Sequence, residues 1–500
     1  DEDRWPSGSA GGYVTKERKF AGKIVRITIN PIETVDKEEG IKEGKPYFLS
    51  CYDVVLNSDG TLKKYSVINE NENASGTKWY AYIETVPKTG WCNGESYVDT
   101  LSKEAIDKFI EITYETYKKA VGEDFGGAVN SIFTDEPQFA VKKLPEFAEN
   151  KNDVVLPWTT DFDEFYKSEC GVDLIEHFPE LIWDLPDGEP SEARYHYHDL
   201  ISELFTRSFS DNCGKWCDEN GIKLTGHVMQ EQTLKSQTGS VGEAMRAYRS
   251  FGIPGIDMLC DHVELATAKQ AQSACRQYGR EGMLSELYGV TNWDFDFRGH
   301  KFQGDWQAAL GVTLRVPHLS WVSMKGSAKR DYPASISYQS PWYKEYSYIE
   351  NHFARVNTAL TRGKPIVNVG VIHPIESYWL KFGPSENTSD VREQMEDNFE
   401  TIIKDLLFGM IDFDFISEAL LPSQCGKVSD RLNVGEMNYS AVIVPECETL
   451  RSSTVEILKK FSENGGKIIF IGECPKYVDA KRSDEVKALY EKSIHCGFNR

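Results

Sequence analysis

Residues 127–137 read Gly127-Ala-Val-Asn-Ser-Ile-Phe-Thr-Asp-Glu-Pro137, and this stretch decides the fold. It is a short apolar run that ends in two carboxylates and a proline. A run of that length, bounded by turn residues, reads as a buried strand. The segment before it, Leu101–Val121, carries Ile106, Phe109, Ile110, Ile112, Tyr114 and Tyr117 as a broad apolar face, so it reads as an amphipathic helix. Helix, strand and polar tip together make one β/α unit.

Working outward toward the C-terminus, the unit recurs. A helix around Tyr195–Asn220 stops at Gly221, and the strand Lys223–Met229 carries Gly226-His227. A helix over Val241–Ser250 precedes Pro254-Gly255 and the strand Ile256–Leu259. A helix over Glu264–Tyr278 precedes the strand Gly282–Tyr288, which carries Glu286; helical Asp305–Leu310 and strand-like Thr313–Trp321 follow. Short apolar strands alternating with helices imply a parallel sheet. So many units fit a (β/α)8 barrel over residues 1–345, with the strand before Glu136 counted fourth and the strand bearing Glu286 seventh. A doubly wound sheet is the alternative. Toward the N-terminus, Pro46–Val55 and Leu62–Ile68 flank Asp59-Gly60, which reads as a β-hairpin insertion near residues 46–85.

Tyr343–Thr361 reads as a helix that ends at Gly363 with Pro365 beyond, so residues 346–364 form the connection to a second domain. There the strands Ile366–Ile372, Ala441–Val444 and Lys467–Gly472 alternate with helices at Asp390–Met410 and Ser453–Glu463. Residues 365–500 are therefore expected to be a smaller, doubly wound, flavodoxin-like α/β domain. The chain begins at Asp1, and both of its ends are expected to be truncated.

The 500 residues carry a net charge of −22, with 40% hydrophobic and 12% aromatic residues. So acidic a surface repels phosphate backbones, which excludes nucleic acid and anionic membranes as expected partners and suits a neutral substrate. No apolar run approaches the ~18 residues that span a bilayer. The eleven cysteines are scattered without a CxxC pair, which reads as reduced, mostly buried thiols. Free thiols and no visible signal peptide favour the cytoplasm, and a homo-oligomer is a possible assembly.

In a barrel, catalytic groups stand at the carboxyl ends of strands. The polar residues there are Asp135 and Glu136, His227 with Glu231, Asp257, Glu286 and His318. Glu136 and Glu286 would face one barrel mouth. Hydrolysis of a glycosidic bond needs two such carboxyl groups: one donates a proton to the leaving oxygen, while the other activates water or attacks the sugar. One of them must have a raised pKa, for which Asp135 is a suitable neighbour.

The expected substrate is a carbohydrate, bound by Asp135, His227, Glu231, Asp257, Trp293, His318 and Trp91. Sugar rings present C–H faces that stack on indoles, and carboxylates accept from hydroxyls. The two-carboxylate chemistry needs no cofactor. Calcium is the one ion considered, with oxygens from Asp135, Glu231 and Asp257. Two other readings compete: a non-catalytic carbohydrate-binding or scaffold protein, and an amidase or transferase that uses Cys474.

The residues Tyr97-Val-Asp-Thr-Leu-Ser-Lys-Glu-Ala105, Ile132-Phe-Thr-Asp-Glu-Pro137, Leu224-Thr-Gly-His227, Gly252-Ile-Pro-Gly-Ile-Asp257 and Leu284-Ser-Glu286 resemble, in this order, the barrel of family 106 alpha-L-rhamnosidases. The later segments Tyr439–Cys447 and Gly465–Gly472 are similar to the α/β domain that follows the barrel there and in family 42 beta-galactosidases. The resemblance implies a glycosidase that removes a terminal rhamnose-like or galactose-like sugar. It makes Glu136 the general acid and Glu286 the general base of an inverting reaction; in a retaining one Glu286 would be the nucleophile. It also implies a calcium ion at the sugar site, with Asp135 and Glu231 as its ligands.

Overall fold

The computed structural model describes residues 12–90, 92–326, 332 and 335–498. Trp91 and the first residues of the chain lie outside that range.

Strands Lys23–Thr28 (β1), Tyr47–Leu56 (β2), Leu62–Val67 (β3) and Thr77–Thr85 (β4) come first. The turn at Asp59-Gly60 forms as the sequence predicts: Gly60 takes φ +86°, and β2 pairs antiparallel with β3. Ser131–Asp135 (β5) follows, and Val154–Trp158 (β6) returns to pair antiparallel with β1. The first sheet is thus five-stranded and antiparallel, in the order β3-β2-β4-β1-β6. Val25 and Ile27 on β1 and Trp79, Ala81 and Ile83 on β4 share one buried face, and Ile24 and Tyr82 on the other face are buried too. The expected hairpin insertion is therefore one part of a larger sheet, and β/α units do not fill residues 1–130.

The helix before β5 breaks at Thr113 into Lys103–Ile112 and Tyr114–Val121. Further on come Glu192–Phe205 (α1), Lys223–His227 (β7), Leu234–Ser240 (α2), Ile253–Met258 (β8), Leu265–Gln277 (α3), Met283–Leu287 (β9) and Val312–Pro317 (β10). β5 and β7 to β10 form one parallel sheet in the order β10-β9-β8-β7-β5. Glu136 and Glu286 end its first and fourth strands, three positions apart, as the fourth and seventh strands of the sequence reading are. Closure into an eight-stranded barrel is not seen among the described residues. β5 and β10 are sheet edges, and Phe133 and Leu314 on them are 41% and 43% exposed. One apolar core nevertheless runs from Val25 and Trp79 of the first sheet to Ile256 and Leu287 of the second.

The helix Ser347–Leu360 (α4) leads to the third sheet. This contains Val369–Ile372 (β11), Ile375–Leu380 (α5), Ser389–Phe408 (α6), Phe413–Ile416 (β12), Ala441–Val444 (β13), Lys467–Ile471 (β14) and Ile494–Cys496 (β15). The parallel order is β12-β11-β13-β14-β15, or 2-1-3-4-5 counted within the sheet.

Helix α3 packs on β8 with one side and on β12 with the other. Lys269 and Arg276 pair with Asp412 at 3.0 and 2.8 Å, and Gln277 Nε2 donates to the Phe415 carbonyl at 2.7 Å. Tyr195, Leu234 and Met245 from the first part join Val371, Trp379 and Phe415 in a shared apolar cluster. None of the eleven cysteines forms a disulfide, and no helix among the described residues is long and apolar enough to cross a membrane.

Candidate active site

The parallel register sets the site. Asp135 stands opposite His227 on β5 and β7, and Asp257 stands opposite Glu286 on β8 and β9. The strand ends are knitted together: the Glu136 amide donates to the His227 carbonyl at 3.1 Å, and the His318 amide to the Leu287 carbonyl at 2.8 Å. Just beyond the four strands, Glu136, Gln230, Cys260 and Tyr288 take φ of +47, +57, +57 and +73°. Left-handed non-glycine residues are strained, and they gather at functional sites. A sequence carries no sign of such strain at these residue types, so this shared feature was not legible.

The side chains converge. Donor atoms of Asp135, His227 and Glu286 lie within 4.8 Å of one another, as do those of Glu136, His227 and Asp257. The buried imidazole of His227 is the common member. Its Nε2 is 2.9 Å from Asp135 Oδ1 and 3.9 Å from Asp257 Oδ2. Burial opposes charge on this ring, but Asp135, Asp257 and Glu231 outweigh it and push its pKa up to about 9. Burial raises the Asp257 carboxyl to about 7; Glu286, Glu136 and Asp135 add to the shift, and His227 opposes it. Near neutrality the cluster therefore holds a cationic ring and a carboxyl poised between its two forms.

Glu231 is only 4% exposed and is in neither group. The Tyr248 hydroxyl donates to its Oε1 at 3.3 Å, and burial raises its carboxyl to about 8, against the pull of His227. The expected calcium ligands Asp135 and Glu231 share no donor group of three or more among the described residues. Glu231 is held by the Tyr248 hydroxyl, whereas Asp135 groups with His227 and Glu286. The donor groups that do form include an imidazole, which suits calcium's preference for oxygen poorly.

His318 follows β10 and stacks on Tyr332, and a Cβ at Gly289 would meet its ring at 3.1 Å. Trp293 is half-buried on the loop after β9. Asp296, on the same loop, caps the next helix by accepting from the Arg298 and Gly299 amides, which makes it structural. Trp91 lies outside the described residues. Cys474 lines a separate open cavity of about 790 Å³ in the C-terminal part, and burial pushes its thiol pKa up, away from a thiolate nucleophile.

No family model matches the sequence, and no curated protein matches it. The fold does have solved counterparts. A rhamnosidase from Novosphingobium sp. PP1Y superposes with a TM-score of 0.57 at 16% identity, over 87% of this chain and 40% of that one. The exo-carrageenase GH42 from Bacteroides ovatus superposes with a TM-score of 0.54 at 12% identity, over 83% of this chain and 58% of that one. At these identities the likeness is one of fold, and the chain spans about half the length of these counterparts.

Proposed function

We propose that this chain carries the active site of a glycoside hydrolase that removes a terminal sugar from a glycan. One observation carries the reading. Asp135, Glu136, His227, Asp257 and Glu286 meet at the carboxyl ends of four adjacent parallel strands, in a fold shared with a rhamnosidase and an exo-carrageenase. In this reading the five parallel strands are an arc of a (β/α)8-type wall, and the third sheet is a flavodoxin-like domain behind it.

Glu136 is the general acid and Glu286 the general base, and the reaction inverts configuration. His227 stays protonated between the carboxylates and holds Asp135 and Asp257 in place. Asp257 Oδ1 is buried with no hydrogen-bond partner among the described residues, and in this reading it accepts from a sugar hydroxyl. Trp293 and His318 border the sugar from the neighbouring loops. No step is routed through calcium.

The test is incubation of the full chain with p-nitrophenyl glycosides, including α-L-rhamnopyranoside and β-D-galactopyranoside, with and without a chelator. The anomer first formed is then read by proton NMR. Release of one sugar as the inverted anomer, unaffected by chelator, supports the account. Retention would make Glu286 a nucleophile, and chelator-sensitive release would restore a metal to the mechanism. Sugar binding without release would favour a binding protein.

A further inference from the structure

The loop that bears Glu231 is held from behind by the C-terminal sheet. Gln270, fully buried on α3, donates its Nε2 to the Glu231 carbonyl at 2.9 Å and to the Ala266 carbonyl at 3.1 Å. Both amide hydrogens then face carbonyls, so Gln270 Oε1 is the atom that accepts from His373 Nε2 at 2.9 Å. This fixes the imidazole as its Nε2–H tautomer. His373 follows β11 directly, is 1% exposed and is held edge-on between Phe399 and Phe415.

A second contact supports the same loop. Glu396 on α6 accepts from the backbone amides of Leu234 and Lys235 at 3.0 and 2.7 Å. These amides open α2, the helix just after Glu231. A third observation concerns the crevice between the carboxyl ends of β11 and β13, where the strand order reverses. In open parallel sheets this is the ordinary ligand position. Here Leu234 from α2 fills it against Ser377, Phe399 and Pro445, leaving a void of about 10 Å³.

We propose that His373 and Glu396 are positioning residues for the site: the end of the C-terminal sheet that would ordinarily take a ligand instead grips the Glu231 loop. The kinetic consequence rests on the hydrolase reading above; the structural one does not.

Hydrogen–deuterium exchange of the full chain tests it, comparing wild type with His373→Phe, His373→Gln and Glu396→Ala. Gln keeps a donor near the position of Nε2, and Phe does not. In His373→Phe and in Glu396→Ala, exchange across residues 229–237 should speed up about tenfold while β9 stays protected, and His373→Gln should restore the wild-type rate. On the p-nitrophenyl glycoside that the wild type cleaves, kcat/KM should fall about tenfold or more in His373→Phe and recover in His373→Gln. Unchanged exchange at 229–237 in both His373→Phe and Glu396→Ala would overturn the proposal, and so would equal acceleration in β9. If the wild type cleaves neither the rhamnoside nor the galactoside, the hydrolase reading fails, and the exchange result alone decides the positioning.

Discussion

Glu136 holds a left-handed backbone at φ +47° just before Pro137, a conformation that costs a non-glycine residue roughly 1 kcal/mol or more. Glycine would relieve that strain. Glu136→Gly should therefore keep the turn before Pro137 while losing turnover of the p-nitrophenyl glycoside. The proton affinities of the cluster give a second prediction. The pKa values of His227, Glu231 and Asp257 are pushed up to about 9, 8 and 7, all above their ordinary ranges. The folded site therefore binds protons more tightly than the unfolded chain does. Stability from His227 is fully present below about pH 6.5 and is lost as pH rises through 9, and both raised carboxyls add to the fall over lower windows. The melting temperature, followed by calorimetry, should drop between pH 6 and pH 9.

At the scale of elements, the strand ends were legible because short apolar runs with a polar tip mark the strands of a parallel sheet. Thr134-Asp-Glu136, Gly226-His227 and Ser285-Glu286 all read that way, and the register then brings them together. Of the first sheet only the β2–β3 hairpin was legible. β1 shows no clean alternation, its partner β6 lies more than a hundred residues away, and nothing local announces that pairing. The left-handed turns were hidden as well, because they fall on Glu, Gln, Cys and Tyr. Glycine shows the other side of this. Gly226 takes φ +120°, and a Cβ there would stand 1.9 Å from the Thr134 carbonyl, where β5 and β7 meet. Gly226→Ala should cost about 2 kcal/mol or more in urea unfolding and weaken activity, because the clash separates Asp135 from His227.

At the scale of the whole molecule, the two parallel sheets are tied by buried charge. Arg451 reaches Asp199 on α1 and Glu376 on α5 at 2.5 and 2.6 Å, and Arg246 adds a 2.8 Å contact to Asp199. The Asp199 side chain is 20% exposed, and the two guanidiniums outweigh its partial burial to hold its carboxyl far below the usual range. Arg451→Met strands the buried Glu376 carboxylate while Asp199 keeps Arg246, so it should cost about 3 kcal/mol in urea unfolding. It should also split a single calorimetric transition into two as the sheets uncouple. The account as a whole turns on the carboxylate pair. Its most direct test is the turnover of the cleaved p-nitrophenyl glycoside by wild type, Glu136→Gln and Glu286→Gln. The account predicts losses of roughly a hundredfold or more in both variants. The loss in Glu136→Gln should shrink on a 2,4-dinitrophenyl glycoside, whose leaving group needs no proton. Undiminished turnover in either variant would contradict the account.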